Sequence, residues 1–531
     1  MKIVVTAVVC FISSCMPEGP WFGNSTTSRK DVLILNNSTE PETLDPVLMS
    51  GSPEGRLATS LFEGLTRKDP KARSPLPGVA SSWKSYDGFT RFVFNLRTNA
   101  RWSSGRRVTA GDFVYSWRRL LDPQTGARYA EFLYCLKNGE RFNKGKLNDV
   151  RELGVRAIDD TTLEVQLRQP TPYFPEIAAF YVTMPTPRET VEKHGGKWTK
   201  RGNLVCNGPF RLKEWRMHNR IVLQKNPRYW GRDRVRLKEI VYLPIEDSAS
   251  ALNLYRAGDV DIVFETPLEL TPFIRKKKDW SSHPGWGTYY YNFNTLKGPL
   301  KEKLIRQALS QAVDRQKIVD FLKGGQKAAR SFTPPYIKGY TPPGGLSFDP
   351  AAARKKLALA GYPGGRGFPK ISLLYNTSES HQHIAEIVQK MWERYLGIKV
   401  ALKNQEWKVF LNTTSNLKHE IARSGWIGDF LDPATFLDMF RSSAPGGNNN
   451  TGWSPPAYKQ LLHRGLTSDS LRERYRYFYR AEKMLLEEAA ILPVYIYAFN
   501  SMVKPYVHGF YPNIRDEHPL REVYIRNRRE K

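Results

Sequence analysis

Cysteine is scarce in this chain, with four residues in 531, at positions 10, 15, 135 and 206. None forms a C-x-x-C pair, and no H-E-x-x-H motif or dense His/Cys cluster accompanies them, so the sequence defines no metal site and calls for no cofactor. His381-Gln382-His383 is the nearest approach to a ligand pair, and alone it reads as surface or ligand-contacting. A G-x-S-x-G elbow is also missing. Ser424 stands near Trp426 and Asp429 without a histidine placed by sequence to activate it, so nothing supports a hydrolase and the chain reads as non-enzymatic. Long apolar runs are lacking too, because residues 3–12 fall well short of the ~20 that span a bilayer. No repeat of 20 to 50 residues occurs, which argues against a solenoid or propeller. Acidic residues are the scarce charge, 52 against 81 Lys and Arg, for a net +29. A field of that sign bears on solubility and attraction to polyanions, not on fold. The densest basic run, residues 275–278, ends at Asp279 and Trp280 and reads as a solvated helix end. No nucleic-acid-binding signature accompanies it, so no nucleic-acid partner is expected.

What is present begins with an export signal. MKIVVTAVVCFISSC has an early lysine, a short apolar run and small residues before Cys15. Ile12-Ser13-Ser14-Cys15 resembles a lipobox, which makes Cys15 the expected lipid-bearing first residue and residues 16–30 a polar tether. Cys135 and Cys206 remain in the folded body, where sequence leaves both a disulfide and free thiols open.

The body, 40% hydrophobic and 531 residues long, is large enough for two or three cores. Phe92, Phe94 and Leu96, then Leu163, Val165 and Leu167, alternate as half-buried strands do. Asp349-Pro350 followed by AAARKKLALAGYPGG has an N-cap acid, a first-turn proline and a glycine stop at Gly361. Leu304, Ile305, Ala308, Leu309 and Ala312 are spaced for the buried face of a second helix. Strands and helices mixed along the whole chain predict an α/β or α+β multidomain protein.

Between residues 61 and 123 the blocks LFEGL, PGVASSW, FNLR, ARWSSG and VTAGDFVYSWRRLLDP follow one another. Beyond them come LGVRAIDDTTLEVQL, GGKWTKRGNLVCNGPFRLKEW, YLPIEDSASALNLYRAGDVDI, TYYYNFNT, ARSGWIGDFLDPATFL and AILPVYIYAFNSMVKP. This collinear series resembles the oligopeptide-binding branch of the solute-binding proteins that feed ABC importers, a family that includes dipeptide-, nickel- and murein-peptide-binding members. The resemblance implies a two-lobed periplasmic-binding-protein-like fold with an extra inserted domain and a ligand in the interlobe cleft. Carried onto this chain, lobe I comprises residues 31–62, 188–286 and 503–531, the inserted domain 63–187 and lobe II 287–502. In the tail, Val523-Tyr524-Ile525 is expected to complete a strand of lobe I. The implied function is capture of short peptides by their termini and main chain, and delivery to a permease and ATPase complex. The expected form is a monomeric, membrane-anchored lipoprotein on the periplasmic or cell-surface side.

Residue by residue, the resemblance implies that Asp429, in SGWIGDF, pairs with the ligand ammonium. A cap for the helix near Pro433 is the plainer role. Arg423, Lys323 and His381 match positions that serve the ligand carboxylate, His381 when protonated. Trp407, Trp426, Tyr129 and Tyr290 are candidates for lining roomy side-chain pockets, with about half expected to face ligand. Two departures stand out. The family's cysteines before TYYY and after the GW of the aspartate motif are replaced by Trp286 or Gly287 and by Ile427, which removes a bridge across that loop and leaves packing to hold it. An acid expected after LDP is Ser50 here, with Glu54 further on. Murein peptide, haem or a nickel chelate are alternative ligands for the same fold, and the charge alone raises a further alternative, a basic surface adhesin for polyanions.

Overall fold

The segment GTYYYNF is dense in aromatic residues, which favour a pleated backbone. It forms the end of a long strand, Trp280–Phe293, that pairs antiparallel with Ile491–Val503. In this computed structural model, residues 31–526 are described apart from 72–73, 148 and 446; Cys15 and the leader lie outside the described residues. The two-residue side-chain period sends Tyr289, Tyr291 and Phe293 into one apolar cluster and Trp286 and Tyr290 into another on the opposite face.

These two strands stand at the centre of a mixed eleven-stranded sheet among the described residues. On one side Ile421–Ile427, Ile371–Asn376 and Val400–Gln405 extend it. On the other lie Ile262–Val263, Val32–Asn36, Glu239–Leu243, Arg220–Lys225 and Phe210–Arg216. The chain thus crosses from one half of the sheet to the other along a single strand pair. Its register shifts between Pro284 and Thr288. Glycine is required there: a Cβ on Gly287 would lie 2.7 Å from the Trp426 carbonyl oxygen.

A separate antiparallel sheet is ordered Ala80–Tyr86, Arg91–Leu96, Thr162–Gln166, Val155–Asp159. The alternation read from sequence holds, with Phe92, Phe94, Leu96, Leu163, Val165 and Leu167 all buried. Helix Ala110–Leu121 packs nearby, opened by a capping box between Thr109 and Asp112. Its Trp117 indole donates to the Thr183 carbonyl at 2.8 Å. Arg119 makes a bidentate pair with buried Asp45 at 2.9 and 2.6 Å, and Trp198 donates to the same carboxylate at 2.9 Å. Trp117 and Trp198 therefore act as hydrogen-bonded core, not as surface.

Helix Pro350–Leu359 begins as read, with the Asp349 carboxylate accepting from the Ala352 N–H at 2.9 Å, and Gly361 follows at φ 94°. In helix Lys303–Gln311 the buried face holds Ile305, Ala308 and Leu309, continued by Ala312, while Leu304, at the margin of that stripe, is exposed. Residues 275–278 follow the helical turn Thr271–Ile274, and Arg275, Lys276 and Lys278 are exposed. Cys135 and Cys206 are free thiols, and burial pushes both up to about 12. The tail forms a short strand as read, over Tyr524–Ile525. Arg521 donates to buried Glu63 at 3.0 Å, but Tyr524–Ile525 pairs only with Val507–His508 in a two-stranded ribbon, and Val523 lies outside it.

Arg474 lies fully buried against Asp432, donating at 3.1 and 2.9 Å, and a third bond runs to the Gly465 carbonyl at 3.1 Å. Removing one member strands the other charge, so Arg474→Ala should cost about 3–5 kcal/mol, read as a lowered urea midpoint. An unchanged midpoint would mean that this pair contributes nothing.

Candidate ligand-binding site

Strand Ile421–Ile427 leaves the sheet at Ile427, and the next residues turn back towards the four-stranded sheet. Three hydrogen bonds fix that turn. Gly428 N–H donates to the Trp286 carbonyl at 2.8 Å, the Trp286 indole donates to the Phe430 carbonyl at 3.0 Å, and Asp429 N–H donates to Thr435 Oγ1 at 3.0 Å. Only glycine fits at 428, where a Cβ would lie 2.1 Å from the Trp286 indole nitrogen. Trp286, one of the two residues at the position where the family resemblance implies a cysteine, thus holds the loop by hydrogen bonds as well as packing. The helix beginning at Ala434 is capped by Asp432, whose Oδ1 accepts from the Ala434 N–H at 2.9 Å. Asp429 is thereby free of the capping role.

The Asp429 carboxylate forms no ion pair among the described residues. Its one side-chain contact of note is Thr435 Oγ1 at 3.5 Å. Burial pushes the carboxyl up to about 7; Lys68 pulls it down, whereas Glu131 and Glu517 push it further up. Lys68 is itself engaged by Glu517. Asp429 faces a cavity of about 390 Å³ walled by Tyr129, Glu131, Tyr173, Trp426, Asp438 and other residues of the two facing halves. The halves meet across it: Phe430 stacks on Tyr173 at 4.3 Å and 8°, and Asn448 donates to Glu131 at 2.7 Å. Tyr129 packs on Phe180 at 5.9 Å, and the Trp426 indole N–H has no hydrogen-bond partner among the described residues.

A second polar cluster lies back along the same strand. Arg423 donates to Asn376 Oδ1 at 3.1 Å and to the Tyr497 hydroxyl at 3.4 Å, and it sits 5.1 Å from the centre of the Tyr289 ring. Its Nε is buried without a partner, and no carboxylate pairs with it among the described residues. His381 lies against the same Tyr289 at 5.6 Å. Burial and the Arg423 charge hold its imidazole down to about 2, which favours the neutral of the two forms that the sequence leaves open for His381.

The remaining candidates divide. Lys323 is exposed just past helix Arg315–Leu322, at φ 53°, and makes no ion pair among the described residues. Tyr290 is core, 1% exposed and edge-on to Phe332 at 4.9 Å, because the strand alternation turns it away from the face that carries Tyr289. Trp407 starts helix Trp407–Ser415, but its side chain lies outside the described residues. Ser50 accepts from Arg128 at 3.0 Å, and Glu54 is buried, its carboxylate accepting from the Glu42 N–H at 3.1 Å. The sequence does not mark Glu131 or Tyr173, since no spacing rule links them to a strand and loop about 250–300 positions further on, and it does not mark Asp438 either.

Gly428→Ala should expel the Trp286 indole from its bond to Phe430, altering tryptophan fluorescence and lowering stability by about 1–3 kcal/mol. Unaltered emission and stability would show that the loop accommodates a Cβ.

The chain is similar to known proteins along nearly its whole length. The chain is 38% identical over 536 residues to the periplasmic oligopeptide-binding protein of Salmonella typhimurium, covering 99% of this chain and 96% of that one. It superposes on the murein tripeptide binding protein of Escherichia coli with a TM-score of 0.85 at 38% identity, over 94% and 99% of the two chains. On the Haemophilus influenzae oligopeptide-binding protein in complex with the peptide RPPGFSPFR the TM-score is 0.83 at 33% identity, over 93% and 99%. Residues 74–448 match the model of the bacterial extracellular solute-binding proteins, family 5, and the chain belongs to that family of non-enzymatic binding proteins.

Proposed function

We propose that this chain is the substrate-binding receptor of an ABC peptide importer, holding short peptides in the cleft by their main chain and two termini. One observation carries the reading: Arg423 and Asp429, of opposite charge, are both half-buried without a counter-ion among the described residues, on one strand and the loop that continues it. Burying an unpaired charge is costly, so such a pair is retained for a ligand that supplies the missing charges. A zwitterion with an ammonium at one end and a carboxylate at the other does so. Six residues of strand and loop span at most roughly 20 Å, which suits an extended peptide of roughly five residues or fewer.

In this reading Asp429 takes the ammonium, Arg423 the carboxylate through its planar fork, and His381 a neutral hydrogen bond beside it. Lys323 reaches a carboxylate only by swinging its flexible stem inwards. Trp426 and Tyr129 line the cavity for ligand side chains. We assign residues 31–62, 188–286 and 503–531 to lobe I, 63–187 to the inserted domain and 287–502 to lobe II, with the cleft closing between them. Cys15 is assigned the lipid that anchors the receptor outside the cytoplasmic membrane.

Mass spectrometry of protein purified without added ligand should release a mixed set of short peptides. A porphyrin, a nickel chelate or one acidic species would overturn sequence-tolerant peptide capture. Affinity should also depend on pH. Asp429 binds an ammonium only when ionised, so affinity should rise about tenfold per pH unit well below about 7 and level off above it. For the ligand-free protein the sign is opposite: the folded carboxyl keeps its proton up to about 7 against 3.8 unfolded, so its contribution to stability falls as pH rises between them. Asp429→Asn should weaken peptide binding by about 2–5 kcal/mol and flatten the pH profile in calorimetry. A variant that binds as tightly, with the same profile, would remove Asp429 from the site.

A further inference from the structure

His283, Asp516 and His518 converge so that one ligand atom from each lies within 4.8 Å of the others. His283 belongs to strand Trp280–Phe293, opposite Phe499 and just ahead of the register shift that begins at Pro284. Asp516 and His518 come from the C-terminal segment, where Asp516 adopts φ 54°. His518 Nε2 is 2.9 Å from Asp516 Oδ1, and His283 Nε2 is 3.8 Å from the same oxygen.

One feature shows that the triad is incomplete as it stands. His283 is 8% exposed, and neither ring nitrogen has a hydrogen-bond partner among the described residues, so a buried imidazole faces Asp516 with its polar atoms unused. His518 Nδ1 lies 3.1 Å from the Tyr511 carbonyl oxygen, which can only accept, so Nδ1 carries hydrogen and Nε2 is the atom turned to Asp516 Oδ1 at 2.9 Å, where a proton or a bound cation can sit between them.

The surroundings fix the rings. Phe510 stacks on His518 at 3.8 Å and 19°, and the two imidazoles stand at 88° with centroids 6.2 Å apart. Arg56 is near enough to feel the Asp516 charge, but its donors are directed to Asn37 Oδ1 and the Asn37 carbonyl at 3.0 and 3.1 Å. It does not close the triad.

We propose that His283, Asp516 and His518 form a structural site for a divalent first-row transition ion of the zinc class. Two imidazoles and a carboxylate are a donor set suited to such ions, and metal–ligand bonds of about 2.0–2.2 Å place tetrahedral ligands roughly 3.3 Å apart. The 2.9 and 3.8 Å separations bracket that value. Asp516, with its side chain 20% exposed, leaves an approach for the ion and a fourth position for water. The ion would tie the C-terminal segment to the foot of the long strand. Trp286, three residues on, donates its N–H to the Ile514 carbonyl at 2.5 Å and also supports the Asp429 loop.

The test is titration of chelator-treated protein, purified without a histidine tag, with zinc chloride and with cobalt chloride. One equivalent per chain is expected, with the d–d absorption of four-coordinate Co2+ and a zinc-dependent rise in Tm, whether or not peptide is bound. The double variant His283→Gln/His518→Gln should lose more than about a hundredfold in zinc affinity, beyond the loss typical of a group that merely orients a ligand. Asp516→Asn preserves shape and should lose at least about tenfold; it decides the matter if the double variant does not fold. His381→Gln/His383→Gln should bind zinc as the unaltered protein does. Absence of stoichiometric uptake by the unaltered protein would overturn the site and leave a protonated His518 paired with Asp516. So would uptake that Asp516→Asn leaves unchanged.

Discussion

Everything that positions the cleft depends on the pairing of Trp280–Phe293 with Ile491–Val503. Because both strands run the length of the join, the two halves of the large sheet share a backbone hydrogen-bonded ladder, and bending is confined to where that ladder is interrupted. It is interrupted by register shifts between Pro284 and Thr288 and between Tyr289 and Tyr290, and in the first of them Gly285 and Gly287 let the neighbouring strands approach too closely for any side chain. Rigid halves joined by a short irregular stretch are what a closing cleft requires. The same stretch carries Trp286, so the junction and the loop bearing Asp429 are mechanically one unit.

The electrostatics of the cleft follow from what the fold leaves unpaired. Arg474 and Asp432, and Arg119 and Asp45, are buried and matched, and they hold structure together. Arg423 and Asp429 are half-buried and unmatched among the described residues. The difference separates structural ions from ligand-directed ones more sharply than the overall excess of 29 positive charges, which is spread over the surface and says little about the cleft. Histidines divide similarly. His381 is held neutral by burial beside Arg423, whereas His283 is placed with an acid and a second histidine.

Much of this was legible in the chain. Period-two alternation marked Arg91–Leu96 and Thr162–Gln166, and the Asp-Pro start marked Pro350–Leu359, because those signals are local and physical. Period alone could not tell that Tyr290 turns into the core while Tyr289 turns towards Arg423, since a run of three tyrosines carries no alternation. Nor could it tell that Tyr524–Ile525 would pair with Val507–His508 and not with the large sheet, because pairing partners are chosen by the path of the chain.

By itself the sequence determined the family, the mixed α/β class and the loop that carries Asp429, all through ordered local blocks whose residues constrain their own backbone. Tertiary structure decided which charges lack partners. It made Asp432 and not Asp429 the helix cap, kept His381 neutral and brought His283 to Asp516 and His518 across more than 230 residues of chain. Burial and three-dimensional neighbourhood set ionisation and pairing, and neither is a property of spacing along the chain.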